Sequence, residues 1–184
     1  LNIVRACLEN NVKNAIYVSS DKACSPINSY GACKFISERI FTESNFNKGE
    51  SKTVFSSVRY GNVLESTGSL VPAIIEKIKN GEDISLTDKE MTRFFITGEE
   101  AVDLIFKAVE LSVGGEILVP KLKSFKVIDI IELLRENYNH KGDIKVTGIR
   151  PGEKIHELMF NSSESPRTFE FNGIFIIHSQ IEQY

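Results

Sequence analysis

The chain has 184 residues, 41% hydrophobic and 26% charged, an ordinary balance for a globular polypeptide long enough to bury a real core. A formal net charge of −3 supplies no large basic field, which argues against nucleic acid as the main partner, and no apolar run approaches membrane-spanning length. Cys7, Cys24 and Cys33 are an odd set without metal spacing, as expected of reduced cytosolic thiols.

Leu1, Ile3, Val4 and Cys7-Leu8 lie at helical spacing with no capping residue before them, so the sequence is expected to open inside a helix. The apolar run Ala15-Ile16-Tyr17-Val18 predicts a buried strand. Ser19, Ser20, Asp21 and Lys22 then fall at its C-terminal end, the edge where open α/β sheets bind ligands. Pro26, Asn28 and Ser29 predict a turn and a helix start, and Tyr30 and Lys34, four apart on that helix, share a face. A lysine ammonium beside a phenol favours the phenolate, which makes Tyr30 a candidate base. An isolated Tyr-x-x-x-Lys is a weak signal that an ordinary surface pair also produces; the preceding strand and Ser-Ser pair give it weight.

Thr53 to Val58 predicts the next parallel strand, with Arg59-Tyr60-Gly61-Asn62 as the loop at its end. Three helical stripes follow: Leu70, Ile74, Ile75 and Ile78, closed by Asn80-Gly81; Ala101, Leu104, Ile105 and Ala108; and Val127, Ile130, Ile131 and Leu134. Glu116 to Val119 reads as a short strand, Gly114-Gly115 before it as a helix C-cap, and Ile174 to Ile177 as a terminal strand. Pro151-Gly152-Glu153 is expected to open a last helix carrying His156. His140, His156 and His178 lack ligand spacing, so no metal site is expected. No Gly-x-Gly-x-x-Gly turn of the kind that holds a dinucleotide pyrophosphate occurs. The expected fold class is α/β: the C-terminal part of a Rossmann-type doubly wound parallel sheet with interleaved substrate-binding elements, its N-terminal nucleotide-binding half missing. A genuinely short protein is the alternative. Residues 1–184 are expected to form a single domain, with 1–68 and 96–120 in the Rossmann half and 69–95 and 121–184 as substrate-binding elements.

Val18-Ser19-Ser20-Asp21-Lys22-Ala23, Pro26 to Lys34 and Arg59-Tyr60-Gly61-Asn62-Val63 resemble the extended short-chain dehydrogenase/reductase superfamily. Gly68-Ser69-Leu70-Val71-Pro72, Thr87-Asp88 with Met91-Thr92-Arg93-Phe94, and Arg150 to Lys154 narrow the resemblance. Together these segments are similar to the UDP-N-acetylglucosamine 4,6-dehydratases of polysaccharide biosynthesis, and within them to the C5-inverting branch that opens the pseudaminic acid pathway. The similarity runs in order from about residue 1 to about residue 178.

That resemblance implies oxidation at C4 of the sugar, loss of water across C5 and C6, and return of hydride to C6, with bound NADP or NAD as cofactor. It implies catalytic roles for five residues: Tyr30 as base for the C4 hydroxyl, Lys34 beside it, Ser20 in hydrogen bond to O4, Lys22 as base at C5, and Asp21 as acid for the departing C6 hydroxyl. Lys22 would be neutral and Asp21 protonated for part of the cycle, which burial serves. Retaining relatives carry Glu after the Asp, so Lys22 favours inversion. Ser19, Tyr30, Lys34, Tyr60 and Gly61 are the implied cofactor contacts. Asn62, Arg93, Arg150 and Glu153 are the implied contacts to a UDP-sugar, the arginines through forked bonds to phosphate. Arg93 pairing with Asp88 or Glu90, and Arg150-Pro151-Gly152 as a mere helix-entry turn, are the structural alternatives. A retaining dehydratase, a UDP-sugar 4-epimerase and an inactive fragment or binding module stay open as functions. A cytoplasmic, homo-oligomeric enzyme without membrane or nucleic-acid partners completes the expectation.

Overall fold

The computed structural model describes residues 1–64 and 66–181. In chain order the elements are α1 (Asn2–Glu9), β1 (Asn14–Ser20), α2 (Ser29–Phe46), β2 (Val54–Tyr60), β3 (Asn62–Val63), α3 (Leu70–Lys79), β4 (Ile84–Leu86) and β5 (Thr92–Ile96). They continue with α4 (Gly98–Leu111), β6 (Ile117–Pro120), β7 (Ser124–Lys126), α5 (Val127–Asn137), β8 (Ile144–Val146), β9 (Thr168–Phe171) and β10 (Ile174–Ile177). The chain divides into two compact units, Leu1–Tyr60 with Glu100–Lys121 and Leu158–Tyr184, and Gly61–Glu99 with Leu122–Glu157.

The first unit is α/β and Rossmann-like. Its sheet runs β1-β2-β6-β10-β9. β1 and β6 flank β2 in parallel, in registers Ala15↔Phe55 and Val58↔Leu118, and β10 adds antiparallel to β6. β2 is buried along nearly its whole length because helices cover both faces. Phe55 packs with Val4, Ala15 and Phe41 against α1 and α2, whereas Val58 packs with Leu104, Ala108, Leu118 and Ile174 against α4. The expectation of a wholly buried first strand is corrected: β1 buries Ala15 and Ser19, while Val18 is 37% exposed. Arg59 and Tyr60 belong to β2 itself, not to a following loop, since Ser19↔Arg59 and Ser20↔Tyr60 continue the ladder. Gly114-Gly115 is not a helix C-cap. α4 already ends at Leu111, and the two glycines, at φ 130° and 86°, form a turn whose Gly115 N–H donates to the Phe55 carbonyl. Residues 158–181, which fall in the 121–184 span grouped by sequence with the substrate-binding elements, pack in this unit because β10 registers Phe175 against Val119 of β6.

In the second unit α3 and α5 bring Ile74, Ile78, Val127 and Ile131 onto Ile84, Leu86 and Met91. Each such side chain contributes roughly 1.5–3 kcal/mol on burial. Asn80 caps α3 and Gly81 follows at φ 70°, the left-handed residue that ends a helix without a Cβ penalty. β3 and β7 flank β5, and β4 pairs in parallel with β8. No helix opens at Pro151. Gly152 sits at φ 80° and the Glu153 N–H donates to the Arg150 carbonyl, giving a turn with Pro and Gly at its centre. His156 then forms an isolated parallel bridge to Thr92. Among the described residues no helix is long and apolar enough to cross a membrane.

Candidate functional site

β1 ends in Ser19 and Ser20, and the chain turns at once into one 3-10 turn, Asp21–Ala23. Ser20 caps that turn by accepting from the Lys22 N–H at 3.3 Å, and its hydroxyl donates to Asp21 Oδ1 at 3.0 Å. Asp21 is fully buried. Its Oδ1 also accepts from Lys22 Nζ at 2.9 Å, with the lysine side chain one-third exposed. Asp21 Oδ2 and Ser19 Oγ are buried with no hydrogen-bond partner among the described residues. Unpaired buried polar atoms cost roughly 1–3 kcal/mol each, and two at one strand end mark a place where a ligand's polar groups fit.

α2 delivers the other half of this cluster. Asn28 caps it by accepting from the Gly31 N–H at 2.8 Å, which places Tyr30 in the first turn. Gly31 is a packing requirement: a Cβ there would drive into the Lys22 carbonyl and stand 3.1 Å from Pro26 Cβ. The absent side chain lets the helix start dock directly on the Asp21-Lys22 turn. Lys34 Nζ donates to the Val18 carbonyl at 3.1 Å and lies 5.3 Å from the Tyr17 ring centroid and 5.9 Å from that of Tyr30. The ammonium is thus fixed between the strand end and the Tyr30 phenol, which is 55% exposed. Ser19, Ser20, Asp21, Lys22, Tyr30 and Lys34 thus lie together at this strand end.

Sequence reasoning missed what holds this cluster from behind. Arg59, fully buried in β2, uses all five N–H donors. Nε and Nη2 reach the two Glu38 oxygens at 2.9 and 2.6 Å, Nη2 and Nη1 reach Glu164 at 2.9 and 3.0 Å, and Nη1 also reaches the Met159 carbonyl at 2.9 Å. Glu38 sits one helical turn beyond Lys34, so the triad ties the helix carrying Tyr30 to β2 and to residues 159–164. Burial alone would lower the Arg59 guanidinium, but its bonds to both carboxylates outweigh that and hold it above its ordinary value. Burial pushes Glu164 up, yet the Arg59 bonds and charge, with the Asn161 N–H, win and hold it below the usual carboxylate range. Burial raises the half-buried Tyr60 phenol. The readable signal was an arginine directly following a run of strand residues.

The remaining predicted residues lie in the second unit. Gly61 packs where a Cβ would stand 2.5 Å from the Phe94 carbonyl oxygen, so β5 by itself accounts for the glycine. Asn62 is half-buried and opens β3 against Phe95. Arg93 is buried and pairs with neither Asp88 nor Glu90: Nη1 donates to the Thr92 and Ile155 carbonyls at 2.7 and 3.0 Å, and Nη2 to that of Lys154 at 2.9 Å. Glu90 instead pairs with Lys126 at 2.8 Å. Glu153 accepts from Thr87 Oγ1 at 3.0 Å, and Arg150 is exposed on the turn beside it. Arg93 therefore shapes the segment that presents Arg150 and Glu153.

Residues 1–179 match the model of a family described as "Polysaccharide biosynthesis protein". A UDP-N-acetylglucosamine 4,6-dehydratase (inverting) of Campylobacter jejuni is 42% identical over 182 residues, 98% of this chain and 53% of that protein. A UDP-glucose 4-epimerase of Rickettsia felis is 32% identical over 176 residues, 96% of this chain and 52% of that protein. The X-ray structure of Pen from Bacillus thuringiensis superposes with a TM-score of 0.94 at 35% identity, covering 98% of this chain and 57% of that one. The chain spans about half the length of the curated relatives it matches. With a family match over nearly every residue and a strand-end cluster of Ser20, Asp21, Lys22, Tyr30 and Lys34 in place, this chain belongs to the polysaccharide biosynthesis protein family.

Proposed function

We propose that this chain carries the acid–base centre of a UDP-N-acetylglucosamine 4,6-dehydratase that inverts C5. The observation that carries the reading is the Asp21–Lys22 contact: a fully buried carboxylate bonded at 2.9 Å to an ammonium, at the strand end where Tyr30 and Lys34 converge. Tyr30 takes the C4 hydroxyl proton, with the Lys34 charge stabilising the phenolate and Ser20 orienting O4. The C4 ketone that results acidifies the C5 proton. A proton passing from Lys22 Nζ to Asp21 Oδ1 within their hydrogen bond yields a neutral amine and a carboxylic acid together. The amine then removes the C5 proton, and the acid protonates the C6 hydroxyl so that it leaves as water. Reprotonation of C5 from the opposite ring face completes inversion.

The nicotinamide of NADP or NAD supplies hydride acceptance and return when bound. Lys34 and Tyr30 would hold its ribose, and the unpaired Ser19 hydroxyl offers a further polar contact, with Tyr60 and Gly61 at the end of the neighbouring strand. Asn62, Arg150 and Glu153 are the proposed contacts to the UDP-sugar, and Arg93 supports them through the backbone. The reading places the reaction in the cytoplasm, in a homo-oligomer. A 4-epimerase shares Tyr30 and Lys34 but has no use for an acid–base pair at Asp21-Lys22.

The test is proton NMR of the full-length gene product turning over UDP-N-acetylglucosamine in heavy water. Deuterium at C5 and the couplings of an L-arabino 4-keto-6-deoxy sugar are expected, and Lys22→Ala should slow C5 exchange about 10²–10⁴-fold. A D-xylo product from the earliest points refutes inversion, and C4 inversion without a 6-deoxy product makes the protein an epimerase.

A further inference from the structure

We infer that the first unit holds a small-oxyanion site, of the phosphate or sulfate class, between α2 and the segment 161–167. A cavity of about 230 Å³ opens there, lined by Arg39, Arg167, Ser25, Asn161, Ser163 and Phe35 among others. That volume lies below the roughly 300–1,000 Å³ usual for organic ligands and suits a compact ion. Neither arginine forms an ion pair among the described residues, and the Nε of each is buried with no hydrogen-bond partner among them. Arg39 otherwise lies over the Phe35 ring at 5.5 Å, and Arg167 Nη1 donates to the His178 carbonyl.

Glu164 also lines the cavity, but its charge is already spent. Both its oxygens accept from Arg59, and Oε2 takes the Asn161 N–H at 3.1 Å as well. Counting Arg39 and Arg167 of the cavity lining, with Arg59 behind them, against Glu38 and Glu164 leaves one net positive charge in this charged cluster. The cost is visible at Arg167, whose guanidinium is lowered by burial and by the charges of Arg39 and Arg59, which together outweigh the raising charge of Glu164. Two arginines lining one cavity, each with an unpartnered buried Nε, are relieved by an anion accepting from both, and such charge-assisted bonds are the strong ones.

The experiment is thermal unfolding and calorimetric titration of the full-length gene product with sodium phosphate, sodium sulfate and glycerol 3-phosphate, against sodium chloride at matched ionic strength. Saturable stabilisation by phosphate and sulfate beyond chloride is expected. Arg39→Gln should weaken the phosphate affinity about ten-fold or more, with far-UV circular dichroism unchanged. Lys121→Gln, on an exposed pair with Glu170, serves as the control and should leave the affinity as it was. Binding of inorganic phosphate alone assigns the free ion, and equal binding of glycerol 3-phosphate assigns a phosphomonoester. Phosphate acting no differently from chloride, or an Arg39→Gln protein that binds as tightly as the parent, overturns the site.

Discussion

Replacing Glu38 with glutamine tests whether the buried Arg59 triad holds the candidate site together. Glu38 is fully buried and accepts two of the five Arg59 hydrogen bonds, at 2.9 and 2.6 Å. The amide keeps one acceptor but turns its NH2 towards a guanidinium N–H, so one donor is stranded and half of the opposing charge is lost. A charge-assisted bond is worth roughly 1.5–3 kcal/mol, and breaking a buried ion pair from one side costs about 3–5 kcal/mol. A loss of about 3–4 kcal/mol follows for Glu38→Gln, a large part of the total stability of a domain this size. With a urea dependence of about 2 kcal/mol per molar, the unfolding midpoint should fall by roughly 1.5–2 M. Glu170→Gln is the reference, because it breaks a pair whose side chains are 56% and 48% exposed, and its midpoint should not move. Equal midpoints for the two variants would mean that the triad contributes no more than a solvated ion pair.

Two further outcomes follow from local packing and charge. Gly31→Ala should lower the thermal midpoint, because overpacking against the Lys22 carbonyl costs about 1–3 kcal/mol and exceeds the roughly 1 kcal/mol that alanine gains in a helix. Gly98→Ala, with nothing within 4 Å of the new Cβ, should leave it unchanged or raised, and the reverse order would refute the docking of α2 on the Asp21-Lys22 turn. Glu164 is held below its ordinary 4.5, so its contribution is complete above that value and is lost as pH falls through the depressed folded one. Urea midpoints measured from pH 6 to pH 3 should therefore decline, and Glu164→Gln should flatten the decline; a variant with the parent's slope would remove Glu164 from the account.

The parts of the fold that were legible in sequence are those specified locally. The stripes of α3, α4 and α5 repeat every three to four residues, and β1 and β2 are built around strand formers such as Ile16, Tyr17, Val18, Val54, Phe55 and Val58, so local pattern locates them. The strand-end cluster was legible for the same reason: Ser19 to Lys34 is one continuous stretch. Arg59 was misplaced into a loop because an arginine normally signals solvent, and what buries it, Glu164, is 105 residues away. Pro151-Gly152 misled in the opposite sense. Proline suits the first turn of a helix, but glycine at φ 80° completes a tight turn instead, and no local signal separates the two outcomes. Arg93 and Glu153 are engaged by the Lys154 carbonyl and Thr87, partners that no spacing rule reveals.

The reach of the Arg59 guanidinium along the chain has a consequence for the order in which the protein is made. Glu38 leaves the ribosome 21 residues ahead of Arg59, so that carboxylate is waiting when the arginine emerges. Met159 and Glu164 follow only 100 and 105 residues later, a delay of about 5–20 s at ordinary elongation rates. Throughout that interval the donors meant for Glu164 and Met159 face water, and β2 cannot close over them. A nascent chain halted before residue 159 therefore leaves those Arg59 donors and the β6 edge that β10 pairs with unpartnered, the kind of surface that holding chaperones and quality-control proteases engage.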